Sequence, residues 1–201
     1  MEEELQIDVR KLRLFNRMAR EGGETVADHL GQMTGVATGA EVTMINFIDV
    51  ADIAAHVGDH KQIGVSIELH DPPHGHLLFL VDAASAKRFA DGMIGGMGET
   101  ADAGFSDMEK SAIKEIGNVM ASAFVDGWAN VLETTIDFST PTFTFGPGSD
   151  LATELVHARF DLALLFDSHI TAEDADARLS VYMFPDLEEL VDLMRRLDPP
   201  E

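Results

Sequence analysis

Residues 106–127 read SDMEKSAIKEIGNVMASAFVDG, and this segment carries the start signal and the periodicity of a long amphipathic helix. Ser106 followed by Glu109 is the pattern of a capping box, in which each side chain accepts a hydrogen bond from the other residue's backbone N–H. Asp107 adds negative charge to the first turn, where the helix dipole favours it. We therefore predict a helix from Asp107 to about Glu133.

The predicted helix has one apolar face and one polar face. At about 100° per residue, seven apolar residues fall on one arc that must face the core. Four polar residues at i, i+4, i+7 and i+11 fall on the opposite side, where the simplest interpretation is a solvated surface. The apolar arc comprises Ala112, Ile113, Ile116, Met120, Ala123, Phe124 and Gly127. The polar stripe comprises Ser111, Glu115, Asn118 and Ser122.

Two members of the polar stripe suggest more than solvation. Asn118 brings no solubilising charge and is a mediocre helix former. Glu115 lies one turn before it, so the pair can reach together into a shallow pocket of another protein. There the carboxylate could pair with a cation while the amide orients a water for attack on a phosphoryl group.

Similar elements follow one another in the same order in both halves of the chain, which predicts an α+β fold. We expect two pseudo-symmetric helix-plus-strands repeats, with long helices packed on a largely antiparallel sheet. In the first half we predict a helix within 9–35, a strand at 41–50, a hairpin of 62–70 and 76–81 joined by 71–75, and a helix at 83–94. After the long helix we predict strands near 134–145, 151–167 and 177–184 and a helix at 185–197.

A Gly-rich linker near residues 95–104 separates the halves. Each half alone would have few strands and exposed sheet edges. We therefore predict one intertwined domain over residues 1–201, with repeat 1 at about 9–98 and repeat 2 at about 104–197.

The composition excludes several classes of protein. The 201 residues carry 36 acids against 14 bases, for a formal charge of -22 at pH 7. This charge excludes a nonspecific nucleic-acid binder, because phosphate recognition needs fields of Lys and Arg. With 45% hydrophobic residues the chain can bury enough surface to fold. It has no cysteine, so disulfides, thiol nucleophiles and thiolate metal sites are excluded.

The sequence shows neither a signal-peptide pattern nor a run long enough to span a bilayer. We therefore expect a cytoplasmic protein without membrane insertion. The chain has only five lysines, and its acids are spread along its whole length. Such a surface stays hydrated in a very salty cytoplasm, where screening removes most of the self-repulsion. A halophilic, archaeal source is our hypothesis.

The polar stripe also resembles a known signature. Ser111-x3-Glu115-x2-Asn118, with Pro141 after 22 intervening residues, resembles the signature of the CheC, CheX and FliY chemotaxis phosphatases. These enzymes dephosphorylate the response regulator CheY. The run from Ala112 to Asn118 also looks like that family's active helix. Two helix-plus-strands repeats are similar to CheC, so the resemblance covers essentially the full chain.

The resemblance implies a mechanism and a set of partners. Glu115 would pair with the response regulator's active-site lysine, and Asn118 would orient water against its aspartyl phosphate. Ser111 and Pro141 would be supporting positions, with Pro141 shaping the entry to the strand behind the site. Mg²⁺ would belong to the response regulator, so we expect no cofactor of this chain's own. The expected partners are phosphorylated CheY and the receptor deamidase CheD, and we expect a monomer.

The first half departs from the family's pattern. With an offset of 98 residues between the halves, the positions of the signature are occupied by Arg13, Arg17 and Arg20. An arginine cannot position water as an amide does, so we predict that the first-repeat centre is degenerate and that the chain has one active centre.

These arginines belong to a basic cluster with three possible roles. Five of the 14 bases lie within the eleven residues 10–20. They could pair internally with the abundant acids, or form a docking face for an acidic partner such as the response regulator or CheD. Attachment to a membrane surface is the third role, but beyond Phe15 the segment lacks a strong aromatic face.

Two functions of different classes therefore remain open. The first is a protein aspartyl-phosphate phosphatase acting on phosphorylated CheY. The second is a CheC-like adaptor that binds CheD or CheY with little phosphatase activity. A metal site at His70, His74 and His76 is not expected, because no adjacent acids complete a ligand set and the Pro and Gly residues between them explain the turn.

Overall fold

The structure is a computed structural model that describes residues 12–34, 38–95, 105–156, 162–172 and 175–196. The helices are α1 (Leu12–Thr34), α2 (Ile53–Val57), α3 (Ala83–Ile94), α4 (Asp107–Leu132), α5 (Gly148–Thr153) and α6 (Leu187–Arg196). The strands are β1 (Thr38–Asp49), β2 (Lys61–Leu69), β3 (Gly75–Asp82), β4 (Thr142–Pro147), β5 (Leu162–Ala172) and β6 (Ala175–Pro185). None of the helices in these ranges is long and apolar enough to cross a membrane.

The six strands form one antiparallel sheet in the order β1-β5-β6-β3-β2-β4. Each half of the chain contributes a hairpin to the middle, β2-β3 and β5-β6, and the hairpins pair through β3 and β6. The outer strand of each half pairs with the other half's hairpin, β1 with β5 and β4 with β2. The two halves therefore exchange their edge strands within a single sheet.

The strand order contains the predicted pseudo-symmetry. Exchanging β1 with β4, β2 with β5 and β3 with β6 reproduces the same order read from the other end. The helices follow the same rule, because each half runs helix, strand, short helix, hairpin, helix. The predicted α+β class, with two pseudo-symmetric repeats and long helices on an antiparallel sheet, is confirmed.

The two faces of the sheet are covered unequally. The main core lies between one face and helices α1, α3, α4 and α6. Rings of Phe124 and Trp128 from α4 pack at 5.7 and 5.2 Å from Phe166 of β5. Each such buried side chain stabilises the fold by about 1.5–3 kcal/mol. A smaller core on the other face lies beneath the short helices α2 and α5.

The two long helices cross in direct backbone contact. A Cβ added at Gly127 of α4 would lie 2.9 Å from the backbone nitrogen of Gly22 in α1. A Cβ at Gly22 would in turn lie 2.8 Å from the ring of Phe124. Small residues at the crossing therefore let the two helices share one layer on the sheet.

Helix α4 also lies very close to the sheet, and the close approach is at Gly117. A Cβ at this position would lie 2.5 Å from Cγ1 of the buried Val65 in β2. Val is stiff at χ1, so it cannot turn away without repacking its neighbours. Gly117 therefore allows α4 to pack close to the sheet, and this distance determines how far the outward-facing residues of α4 lie from β2.

We expect Gly117→Ala to destabilise the protein by up to about 2 kcal/mol. Overpacking against Val65 costs about 1–3 kcal/mol, and the higher helix propensity of Ala offsets about 1 kcal/mol of it. Chemical denaturation measures the change. Gly146→Ala is the control, because a Cβ there meets nothing closer than 3.8 Å. Equal stability of the two variants would contradict the close packing of α4 on β2.

Several predicted elements lie close to their expected positions. The structure confirms the predicted hairpin, the helix at 83–94, the long helix and the final helix to within two residues at each described boundary. The first predicted helix and strand correspond to α1 and β1. Residues 9–11, 35 and 197 of the predicted helices lie outside the described residues.

Two strand predictions in the second half are wrong in part. Residues 134–141 form no strand beyond an isolated bridge at Phe138, and β4 begins at Thr142. The first residues of the strand predicted at 151–167 belong instead to α5. Leu151 and Ala152 are apolar because α5 is buried against α2 and the sheet. An apolar run this short does not distinguish a strand from a buried helical turn.

Candidate functional site

The polar stripe of α4 faces away from the core. Ser111, Glu115 and Asn118 are exposed, and Ser122 is half-buried. All seven residues of the predicted apolar arc are buried. At 1.5 Å per residue, Glu115 and Asn118 are about 4.5 Å apart along the helix axis, and about 60° apart around it. The predicted division of the helix into two faces is confirmed.

Glu115 and Asn118 are available to a partner, whereas their serine neighbours bond to the helix itself. The Ser111 hydroxyl donates to the carbonyl of Asp107 at 2.8 Å, and the Ser122 hydroxyl donates to the carbonyl of Asn118 at 2.9 Å. Within the described part of the chain, no hydrogen bond or ion pair engages the side chain of Glu115 or Asn118. The stripe therefore presents one carboxylate and one amide to the outside.

The start of α4 is fixed by the predicted capping box and by an ion pair. The Ser106 hydroxyl accepts from the N–H of Glu109, and the Glu109 carboxylate accepts from the N–H of Ser106. Glu109 is fully buried and pairs with the Lys87 ammonium of α3 at 2.5 Å. Its hydrogen bonds with Lys87 and Ser106 lower the pKa of Glu109 to about 2. Helix α4 is thus anchored to α3 six residues before Glu115.

Pro141 lies directly before β4, the edge strand beside α4, and is half-buried. Two residues later, Phe143 pairs with Val65, the residue on which Gly117 rests. The structure therefore places Pro141 directly before the strand that flanks the Glu115–Asn118 part of the helix. Proline suits this position because the ladder between β2 and β4 begins only at Thr142, so Pro141 need not donate a backbone hydrogen bond to it.

Sequence reasoning missed an apolar rim at the start of the stripe. Met108, 55% exposed, lies one turn before Ser111, and Phe145 of β4 is 42% exposed. Phe105 joins the rim, with its ring 5.6 Å from that of Phe145. The signal was present in the sequence, because Met108 continues the polar stripe by one step of i, i+3.

The first repeat has an equivalent face, and burial supports the offset of 98. Met18 of α1 and Ile116 of α4 are buried at matching positions. Val26 and Phe124 form a second such pair. On the outside, exposed arginines stand where α4 exposes its stripe, and they are Arg13, Arg17 and Arg20.

The edge strands agree with the same offset. Phe47 of β1 and Phe145 of β4 are 98 residues apart, and each is about two-fifths exposed. Phe47 pairs with Leu164 of β5, and Phe145 pairs with Ile63 of β2, the strands that the pseudo-symmetry exchanges. The three arginines therefore occupy positions equivalent to those of the signature in the fold as well as in the sequence.

The arginines line a cavity of about 540 Å³ between α1 and β1. Arg17 pairs with Glu21 on the same helix at 2.7 Å. Arg13 and Arg20 make no ion pair or hydrogen bond with any residue that the structure describes. Among the members of the cluster that the structure describes, internal pairing, one of the three predicted roles, thus accounts for Arg17 alone. Arg10, Lys11 and the side chain of Phe15 lie outside the described part.

The histidine-rich turn serves the fold. Nδ1 of His74 contacts Oε2 of Glu189 in α6 at 2.8 Å, and this hydrogen bond raises the pKa of His74. The backbone N–H of His74 donates to the same oxygen. The hairpin is thereby tied to the last helix. Among the described residues, no group of three His, Asp or Glu side chains is placed to hold a metal ion.

Comparisons with known proteins identify relatives for both the sequence and the fold. The sequence pattern of the CheC-like family matches residues 108–144, which contain Ser111, Glu115, Asn118 and Pro141. A Halobacterium salinarum protein, CheC1, is 46% identical over 192 residues, covering 95% of this chain and 98% of that protein. Its name describes it as a candidate CheY-P phosphatase.

Solved structures share the fold at low identity. Thermotoga maritima FliY superposes with a TM-score of 0.80 at 16% identity, covering 96% of this chain and 99% of that chain. The middle domain of FliM from H. pylori gives 0.71 at 10% identity, with coverages of 95% and 100%. CheX from Vibrio vulnificus gives 0.56 at 12% identity, with coverages of 83% and 98%. These likenesses concern the fold.

Proposed function

This chain belongs to the CheC-like family, and from that premise we propose that it dephosphorylates the phosphorylated response regulator CheY. The observation that carries the proposal is the exposed pair Glu115 and Asn118, which α4 holds one turn apart with no described partner of its own. Residues 108–144, which match the family pattern, contain this pair.

Glu115 has the role of docking. Its carboxylate pairs with the active-site lysine of the response regulator, which brings the two surfaces into register. The exposed Glu115 carboxylate is hydrated in the free protein. On docking, it exchanges this water for a charge-assisted hydrogen bond to the lysine of the partner. The Mg²⁺ that supports the chemistry belongs to the response regulator, and this chain holds the partner rather than the metal.

Asn118 has the role of positioning the nucleophile. Its carboxamide can accept from a water O–H and donate to a phosphoryl oxygen, so it can aim the water at phosphorus opposite the aspartyl oxygen. The water oxygen forms the new P–O bond, the bond between phosphorus and the aspartyl oxygen breaks, and the aspartate leaves as a carboxylate. The water's proton leaves to solvent or to the released phosphate.

Ser111 and Pro141 support the site without touching the reacting atoms. The Ser111 hydroxyl donates a hydrogen bond to the carbonyl of Asp107. This small side chain therefore lies against the helix and leaves a flat surface beside Glu115. Pro141 lies directly before β4, the strand beside the helix. The apolar rim of Phe105, Met108 and Phe145 then offers contact area to the docked partner.

We expect Glu115→Lys to raise the KM for phosphorylated CheY at least tenfold, with a smaller effect on kcat. The substitution places like charges opposite each other at docking, while Asn118 still carries the amide that positions water. Initial rates at varied CheY-P concentration separate the two constants.

Glu154→Lys is the matched control for that charge reversal. Glu154 is exposed after α5, on the opposite side of the sheet from α4, and its reversal changes net charge equally. Equal KM values for the two variants would contradict the docking role, because they would reduce it to an effect of net charge.

A second candidate function is a CheC-like adaptor that binds CheD or CheY with little phosphatase activity. The observation in its favour is the first repeat, which presents arginines and a cavity where the second repeat presents its Glu and Asn. The decay of phosphorylated CheY separates the candidates. Acceleration by catalytic amounts of this protein supports the phosphatase, and binding without acceleration supports the adaptor.

A further inference from the structure

We propose that the cavity between α1 and β1 is a binding groove for an extended, acidic segment of a partner protein. The segment's carboxylates pair with Arg13, Arg17 and Arg20, which line the groove from α1. The proposal rests on the binding role of the first repeat and does not require the phosphatase centre on α4.

Two of the three arginines, Arg13 and Arg20, have no partner among the residues that the structure describes. The chain carries 36 acids, so a surface arginine has many chances to find an internal partner. Arg17 has one in Glu21, but Arg13 and Arg20 pair with no residue in the described ranges. Two guanidinium groups that lack a partner in the described structure, beside a cavity of about 540 Å³, favour an anionic occupant.

The spacing of the three arginines suits an extended chain. Along the helix axis the three arginines are separated by about 6 Å and then about 4.5 Å. In an extended segment, side chains on one face recur about every 6.7 Å, because alternate residues point the same way. Carboxylates at alternate positions of an extended chain therefore meet successive arginines, and the flexible stems of Arg absorb the small mismatch.

The opposite wall of the groove is formed by β1 at Ala40 and Glu41. Strand β1 is an edge of the sheet, and among the described strands it pairs only with β5. An extended segment lying along this edge can also reach backbone groups that the sheet leaves open.

The lining favours a protein segment over a free phosphate. Glu24 and Glu41 also line the groove, so its described lining carries three positive and two negative side chains. A compact polyanion would be repelled by these acids. A polypeptide can place its carboxylates on the arginines and a basic or neutral residue beside Glu24 and Glu41.

Fluorescence anisotropy with a defined probe tests the groove. The probe is a fluorescein-labelled ten-residue peptide that alternates Glu and Thr, titrated with the full chain in 0.15 M salt, roughly the physiological value. We expect saturable binding that weakens as salt is added. The double variant Arg13→Gln and Arg20→Gln should bind at least tenfold more weakly.

The matched control is Arg195→Gln with Arg196→Gln. Both residues are exposed on α6, so this variant loses the same two charges from another surface. It should bind the peptide as the wild type does. Equal weakening in the two double variants, or no binding by the wild-type chain, would overturn the proposal. Circular dichroism at the same salt checks that each variant is folded.

Two further arms make the outcome specific. Pyrophosphate that binds in place of the peptide, and loses affinity in the Arg13 and Arg20 variant, would overturn the protein-segment assignment in favour of a phosphate site. The Asn118→Ala variant should bind the peptide with wild-type affinity. Failure of the phosphatase proposal would therefore leave this result unchanged, and failure of the groove would leave the CheY-P assay unchanged.

Discussion

Replacing Asn118 with Ala is expected to lower the acceleration of CheY-P decay by about 100-fold, the size of effect seen when one positioned polar group is removed from a catalytic site. The loss comes from the water, which no longer has an amide to hold it in line with the scissile bond. Glu115 remains in place, so docking and KM should change little.

The same substitution should leave folding intact. Asn118 is exposed, and its side chain makes no hydrogen bond or ion pair with any residue that the structure describes. Alanine is the better helix former by several tenths of a kcal/mol, so unfolding should shift slightly upward if at all. A loss of activity with unchanged thermal unfolding would thus locate the defect in chemistry.

The measurement is the time course of phosphorylated CheY with catalytic amounts of each variant. Asn130→Ala is the matched control, because Asn130 is an exposed Asn on the same helix, 12 residues further along. It should keep the wild-type rate. If Asn118→Ala also keeps that rate, the assignment of the phosphatase centre to this stripe is wrong.

Helix α4 could be predicted in detail because its signals are local. The capping box at Ser106 and Glu109 fixes the start, and the apolar arc fixes which side faces the sheet. The exposed positions of Glu115 and Asn118 follow from that phase. The family resemblance then supplied a chemical role that the periodicity alone does not contain.

The region after α4 could not be predicted from local pattern. The apolar residues Leu151 and Ala152 suggested a strand, but their burial arises from α2, which lies about a hundred residues earlier in the chain. Strand β4 has six residues, and each of them pairs with a residue of β2. Both facts depend on how the halves exchange strands, which no single segment encodes.

Only part of the groove between α1 and β1 could be predicted from the sequence. The concentration of bases in residues 10–20 is visible in the sequence, and the offset of 98 places three of them on the exposed face of α1. The cavity itself needs β1 beside α1 and depends on long-range pairing of β1 with β5. The sequence therefore identifies the arginines of α1, but it does not show that β1 lies opposite them.

Replacing Glu109 with Gln is expected to destabilise the protein at pH 7 by on the order of 3 kcal/mol. Glu109 has a pKa of about 2 in the fold against an ordinary 4.5, and each unit of that difference corresponds to about 1.4 kcal/mol. Glutamine keeps the shape of the side chain, but it loses the charge that pairs with Lys87. Lys87 is one-third exposed and can turn to water, so the variant should still fold.

The pH dependence gives the sharper test. A carboxyl whose pKa is lowered by folding contributes its full stability above its unfolded pKa, and that contribution is lost as pH falls through the folded pKa. The extra stability of the wild type should thus be constant above about pH 5. As the pH falls from the ordinary pKa of 4.5 to the folded-state pKa of about 2, this extra stability should shrink. The free energies of unfolding of the wild type and of Glu109→Gln, plotted against pH, should therefore converge in acid.

Glu115→Gln is the control for this effect, because it makes the same change on the same helix at an exposed position. Its stability should stay within about 0.5 kcal/mol of the wild type, as is usual for surface substitutions. Parallel curves for wild type and Glu109→Gln from pH 7 to 2 would show that the ion pair to α3 does not hold the helix. Convergence would instead show that the buried acid, which takes no part in the chemistry, anchors the first turn of the helix that presents Glu115 and Asn118.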